Sequence, residues 1–393
     1  MIKHVLAVAL MAAAALAQEG KPPNFAQGFV ARLQLGEPIQ TDQVILFPLV
    51  LGDPPPDPGV DALWKGEVSF EEPKDPAKAN DVLVRNGGSR PVLVPAGTLL
   101  EGGRRDRMIA NDVVLAPGAE AIVRALPSAS ASDARKEPVP FRLCASLAPV
   151  HLRRKGEFDF SETLVPTFVA RWIEFRNEGD DRNSLVAICE STKLAEYSLK
   201  SRETAAGLPK GLEGKKVVGA ISAVRGRPQM LTVFGSNALL AANFDAYVRS
   251  ATFVAAAIEI RAKAAGVPLP GKGDPVKTLE AVRTDAYDLL AKLKKASYDD
   301  AGDALVLRLS GGTRGRAVAH GKDLVHLTLY PYDPVEARLY AATVDPDAKP
   351  DAEEEKVVDE EEARPPTKEE DEFIDGWRDR FGGVRGGGRG GRR

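Results

Sequence analysis

Between Val92 and Gly118 the chain reads VLVPAGTLLEGGRRDRMIANDVVLAPG, and this stretch limits the fold more than any other. Its apolar runs, Val92–Val94 and Val113–Ala116, are too short for helices and are cut off by Pro, Gly or charge. Short apolar runs bounded by turn residues are the pattern of strands. Between them, Glu101-Gly102-Gly103-Arg104-Arg105-Asp106-Arg107 sets five charges around a glycine pair. Paired strands that meet at such a turn hold a loop out from a rigid scaffold, where binding residues are most often found.

The neighbours of this stretch repeat its pattern. Phe29–Leu35, Gln43–Val50, Glu67–Glu71, Asp81–Arg85, Ala121–Ala125 and Phe141–Leu147 read as further strands, with the proline-stiffened loop Gly52–Pro58 between two of them. Many short strands spaced by turns predict an antiparallel sandwich or barrel-like half over residues 18–155. The pattern then changes. Thr167–Arg176 reads as a short helix, Asn183–Ala206 as helix or strand plus helix, and Val217–Phe234 as a hairpin turning at Arg225-Gly226-Arg227-Pro228.

Asn237–Ala265 is Ala-rich and free of Pro and Gly, with Ser236 as N-cap and Gly266 and Pro268 as stop signals. A second helix starts with Asp274 as N-cap and Pro275 in its first turn, and runs to about Ala296. Strands at Ala304–Leu309, Arg316–Ala319 and Leu324–Leu329 complete an α+β half over residues 156–345. The whole is an α+β protein in two halves.

The two ends differ in composition from the rest. Lys3 and His4 followed by apolar Val5–Leu16 and the small-x-small Ala15-Leu16-Ala17 form a signal-peptide pattern over residues 1–17. It predicts a mature chain from Gln18, exported to the periplasm or secreted, with no transmembrane segment after cleavage. Residues 346–393 run from an acidic stretch, Asp351–Glu372, into the Arg/Gly-rich VRGGGRGGRR. Such segments bury too little apolar surface to order themselves, which predicts a disordered tail. An Arg/Gly tail suggests RNA binding in a cytosolic protein, but export and a formal charge of −3 argue against a nucleic-acid partner.

The chemistry-bearing residues are few. Cys144 and Cys189, each after a strand-like run (Phe141–Leu143 and Leu185–Ile188), suit either one disulfide of an exported protein or two buried thiols. Four histidines leave no multi-His metal site, and no metal or cofactor is expected. His151 beside Arg153 and Arg154 reads as surface, and His326 between Val325 and Leu327 as a satisfied, partly buried residue. Gly311–Arg316 lacks the strand–loop–helix setting and Lys-Ser/Thr pair of a phosphate loop and reads as a hairpin turn. That leaves the loop. Arg104, Arg105 and Arg107, with the backbone of Gly102 and Gly103, suit an anionic group, with Asp106 and Glu101 orienting the arginines. A salt-bridged, solvated turn is the competing reading.

Val92–Gly118 resembles the centre of the ARG and Rhodanese-Phosphatase-superfamily-associated protein domain, whose members share a Gly-Gly-basic-Gln-x-Arg loop. Later pieces are similar in order: Val217–Ala223 with Val233-Phe234-Gly235-Ser236, Phe244–Ala255, and Val325-His326-Leu327, so the likeness spans Phe47–Tyr330. It places Gly102, Gly103, Arg104, Asp106 and Arg107 on the family loop and His326 at a family position. Arg105 stands where the family has Gln, and VRALPSASAS at Val123–Ser132 replaces its Cys-Val-Glu…Gly-Arg-Trp segment, which implies a divergent or inactive member. The family name implies association with phosphorylated or ADP-ribosylated ligands. Three functions follow. The leading one is a noncatalytic module holding an anionic ligand or envelope partner on the Gly-Gly-Arg loop. The second is a hydrolase of phosphorylated or ADP-ribosylated substrate with Asp106 or Glu101 as acid/base, and the third a purely structural envelope domain.

Overall fold

The computed structural model describes residues 25–41, 44–53, 57–75, 80–159, 164–208, 216–265, 275–300, 304–310 and 312–331. The expected leader, the acidic and Arg/Gly tail, the stop signals Gly266 and Pro268, and the cap Asp274 lie outside them.

A nine-stranded antiparallel sheet forms the larger layer. Its first strands come from the N-terminal part: β1 (Gln34–Leu35), β2 (Ile39–Gln40) and β3 (Val44–Leu51). The others are β14 (Lys216–Val224), β15 (Arg227–Phe234), β16 (Tyr298–Asp300), β17 (Ala304–Arg308), β18 (Arg314–His320) and β19 (Asp323–Tyr330). The order is β1-β3-β14-β15-β19-β18-β17-β16, with β2 also on β3. Both faces are covered, which explains the unbroken apolar run of β3. Val44, Leu46 and Val50 point to one face, and Ile45, Phe47, Leu49 and Leu51 to the other. The division near residue 155 therefore does not separate the sheets, because β3 lies against β14.

The first face packs on α6 (Asn237–Ala265), through Leu240, Phe244, Tyr247, Val248 and Ala251. Ser236 caps this helix as expected, its hydroxyl accepting from Leu239 N–H. The opposite face packs on α1 (Phe25–Ala31) and α7 (Pro275–Lys294), through Ala26, Val30, Val282, Ala286 and Leu289. The expected strand over Phe29–Leu35 is thus a helix followed by the two-residue β1. Ala26, Phe29, Val30 and Leu33 are buried at helical spacing, a pattern that short apolar runs share with strands.

The N-terminal half is β-rich, as expected, and its strands form small sheets. They are β10-β7-β4, β11-β6-β5 and β12-β9-β8-β13. The strands are β4 (Asp61–Ala62), β5 (Val68–Glu71), β6 (Val82–Asn86), β7 (Val92–Val94), β8 (Thr98–Gly103), β9 (Arg107–Ile109), β10 (Val113–Leu115), β11 (Glu120–Val123), β12 (Ala125–Pro127) and β13 (Val139–Leu147). They share one core of Val82, Val84, Val92, Val94, Leu100, Ile109 and Leu115.

Four helices, α2 (Val150–Phe158), α3 (Leu164–Trp172), α4 (Leu185–Cys189) and α5 (Thr192–Ala205), fill the space between this half and α6. Leu185–Ile188 is helical rather than strand-like, since the Ser184 hydroxyl accepts from Ala187 N–H and starts a helix there. Among the described residues no helix is long and apolar enough to cross a membrane.

Candidate functional site

The Glu101–Arg107 loop does not gather its arginines. Arg104 is 62% exposed and leans on Glu72, which also accepts its backbone N–H. Arg107 turns inward and is buried. Asp106 is sealed; its Oδ1 accepts from Gly102 N–H at 3.0 Å and pairs with Arg135 at 3.1 Å. The glycine pair also has a protein occupant. Gly102 and Gly103 have φ of 134° and 58°, and a Cβ on either would meet Pro140 O or the Phe141 ring at 2.5 Å. The close approach is to β13, not to open space.

Glu101 is locked as well, to Arg182 at 2.6 Å and to Arg142. Burial pushes its carboxyl up, but the hydrogen bonds and charges of Arg142 and Arg182 more than reverse this and hold it below the usual range. A carboxylate kept ionised is a poor general acid. Arg142 and Arg182 reach Glu190 at 2.7 and 3.5 Å, which makes the loop a salt-bridged turn. Cys144 and Cys189 are free cysteines; Cys144 is buried in an apolar cluster and half-buried Cys189 packs against it.

His326 lies apart from that loop, on β19, and is fully buried. Its Nδ1 meets Asp112 Oδ2 at 2.6 Å. An ionised carboxylate only accepts, so Nδ1 carries the hydrogen. Nε2 faces three hydroxyls, Tyr247 at 2.9 Å, Thr232 at 3.0 Å and Thr328 at 3.1 Å. Asp–His–hydroxyl is the arrangement that activates a nucleophile, but with no exposed atom on the ring there is no place for a substrate. Asp112 also accepts from Ala96 N–H at 2.7 Å, so the pair ties the β-half to the large sheet.

A second polar layer borders this pair. Arg153 and Glu157 sit one turn apart on α2. Arg153 is buried: Nε donates to Ala96 O at 3.0 Å, Nη1 reaches Met230 Sδ at 3.2 Å, and the guanidinium lies 4.6 Å from the Tyr247 ring centre. The Glu157 side chain is 1% exposed, with Arg316 Nε at 4.0 Å. It lies close to the Tyr330 hydroxyl without a hydrogen bond of normal geometry. Burial, then the nearby Asp112, push its carboxyl up to about 8. The surface reading of His151 and Arg153 is corrected here: both are buried, because the inward face of α2 carries charge.

Arg316 leads from this layer to open space. A cleft of about 640 Å³ runs between β10–β11 and β17–β18. Its wall carries Arg316, Arg124, Asn111 and His320, over apolar Val114 and Ile122. Asp112 contributes to its floor. Asn111 Oδ1 accepts from Arg316 Nη1 at 3.5 Å. Gly315 and Arg316 follow a hairpin turn, as expected, with Leu309 N–H donating to Thr313 O at 2.9 Å. Sequence reasoning passed over this cleft because its basic residues come from segments almost two hundred positions apart. Among the described residues, no group of three His, Cys, Asp or Glu could hold a metal ion.

Residues 32–126 match the family model of the ARG and Rhodanese-Phosphatase-superfamily-associated Protein domain. The resemblance read from Val92–Gly118 therefore holds, while the later similar pieces from Val217 onward lie outside the match. The matched residues include β1 to β11 together with Asp112 and Arg124; Arg153, Glu157, Arg316 and His326 lie outside them. Comparisons with curated proteins and with solved structures found no match.

Proposed function

We propose that this chain is an exported, noncatalytic module that binds an anionic ligand or envelope partner in the cleft between its two halves. One observation carries the reading: two arginines from opposite walls, Arg124 and Arg316, line the same 640 Å³ cleft. The volume lies in the range of small-ligand sites, and apolar walls with a few convergent polar groups are the usual make-up of such sites. Arginine's planar fork suits a carboxylate, sulfate or phosphate head, and Val114 and Ile122 suit a short apolar body. Export rests on the leader-like pattern of residues 1–17. The noncatalytic reading rests on the burial of His326 and on the ion pairs that occupy Glu101 and Asp106.

The test is a thermal-shift and calorimetric screen of the chain against sulfate, inorganic phosphate, nucleotides and aromatic sulfonates. An anion with a short apolar body is expected to raise Tm, and Arg316→Ala to weaken its binding about tenfold or more, the loss of one charge-assisted contact. Arg104→Ala leaves binding unchanged. The reverse pattern returns the site to the Glu101–Arg107 loop, and turnover of a phosphorylated substrate removes the noncatalytic reading.

A further inference from the structure

We infer that the cleft binds its anion together with a proton, which is taken up by Glu157 from behind Arg316. The inference rests on the cleft reading above and adds a regulator to it.

Arg316 has two neighbours of opposite kind. One side lines the open cleft, and the other has Nε 4.0 Å from a Glu157 carboxyl oxygen that is sealed from solvent. Neither carboxyl oxygen of Glu157 and no other group holds that Nε in a hydrogen bond of normal geometry among the described residues. The guanidinium is therefore shared between an internal carboxyl and whatever occupies the cleft.

When Glu157 is ionised it neutralises Arg316, and a second anion in the cleft meets little net attraction. When Glu157 is neutral, the whole charge of Arg316 is available to the cleft. By linkage the converse holds: an anion beside Arg316 disfavours ionisation of Glu157 and draws a proton onto it. The charged and titratable groups facing Glu157 come from every surrounding element. They are Arg153 on its own helix, Asp112 before β10, Arg316 on β18, Tyr330 on β19 and, further off, Tyr247 on α6. Asp112 opposes its ionisation and the two arginines favour it. Of these, Arg316 and Asp112 also line the cleft, and Arg316 is the one whose charge attracts an anion there. The carboxyl's raised position, about 8, puts the exchange within reach of mild alkaline conditions.

The full chain is titrated with benzenesulfonate, whose single charge does not change across the range. Affinity is expected to fall about five- to tenfold between about pH 6 and about pH 9.5, a normal size for coupling between two sites. Near pH 8, calorimetry in two buffers of different ionisation enthalpy is expected to show uptake of a fraction of a proton. That readout uses the unaltered chain and does not depend on how a variant folds. Glu157→Gln is expected to keep the binding and lose both the pH dependence and the proton uptake. A pH dependence that survives in Glu157→Gln assigns the effect to another group, such as His320 in the cleft wall, and overturns the inference. So does binding that Arg316→Ala abolishes but that takes up no proton, an outcome that leaves the cleft reading standing. No binding, or equal binding in the unaltered chain and in Arg316→Ala, overturns the cleft reading and the proton coupling with it.

Discussion

Asp112 and His326, 214 positions apart, meet at 2.6 Å with side chains 1% and 0% exposed, one from each half of the molecule. Burial pushes the Asp112 carboxyl up, and the charge and hydrogen bond of His326, with Ala96 N–H, more than reverse it and hold the carboxyl below its usual range. Such a pair contributes little over an apolar replacement, but removing one partner strands the other in a dry interior. Asp112→Ala is therefore expected to cost about 3–5 kcal/mol in denaturant unfolding. His326→Ala should cost a similar amount, and the double variant clearly less than the sum. Additive losses would mean that the two residues act independently and do not clasp the halves together.

Glu157 has the opposite effect on stability. Below the ordinary carboxyl range it is protonated in both the folded and unfolded chain. As pH rises to about 8 the unfolded chain ionises it first, so stability falls through that window and then levels off. Glu157→Gln is expected to stabilise the protein by about 1–3 kcal/mol at pH 8 and by little at pH 4. Urea unfolding at both pH values checks this, and a destabilised Gln variant at pH 8 would contradict it.

The layered core was legible in the sequence because each part followed a simple rule. Ser236 and an Ala-rich run free of Pro and Gly announced α6, and Arg225-Gly226 between two β-rich runs announced the β14–β15 hairpin. The polar interior was not legible. Helix α2 turns Arg153 and Glu157 inward, and a reading that equates charge with surface places such a helix outside. Likewise, the chain gives no local sign that Asn111 and Asp112 will face Arg316 and His326. That proximity depends on β3 joining the large sheet and carrying the β-half against it. The glycine pair misled for a related reason. Gly102 and Gly103 are needed there, but for the passage of β13.

His151 gives the protein an acid limit. Burial, and then the charge of Lys155, push its imidazole down to about 3. Below about 6.5, its ordinary value, the unfolded chain takes up a proton that the folded chain refuses until about pH 3. Stability is thus expected to fall through this window by up to about 1.4 kcal/mol per pH unit. His151→Leu keeps the packing on Phe168 and should flatten the acid side of the stability curve. A profile unchanged in this variant would place the acid sensitivity elsewhere, with Asp112 as the next group to test.

The loop makes the last prediction, because Arg104 and Asp106 differ so much in setting. Arg104 is mostly exposed and its ion pair with Glu72 is screened by solvent, so Arg104→Ala should change stability by no more than about 0.5 kcal/mol. Asp106 is sealed, accepts from Gly102 N–H and holds Arg135, so Asp106→Ala leaves a buried donor and a partly buried guanidinium without their acceptor. A loss of about 2–4 kcal/mol is expected. Gly103→Ala should cost at least as much as a typical strained substitution, about 1–3 kcal/mol, since its backbone has φ of 58° and Phe141 fills the space beside it. If chemical unfolding instead finds Asp106→Ala and Gly103→Ala neutral, the turn is not built for packing. A ligand-facing role for Arg104, Arg105 and Arg107 would then be restored.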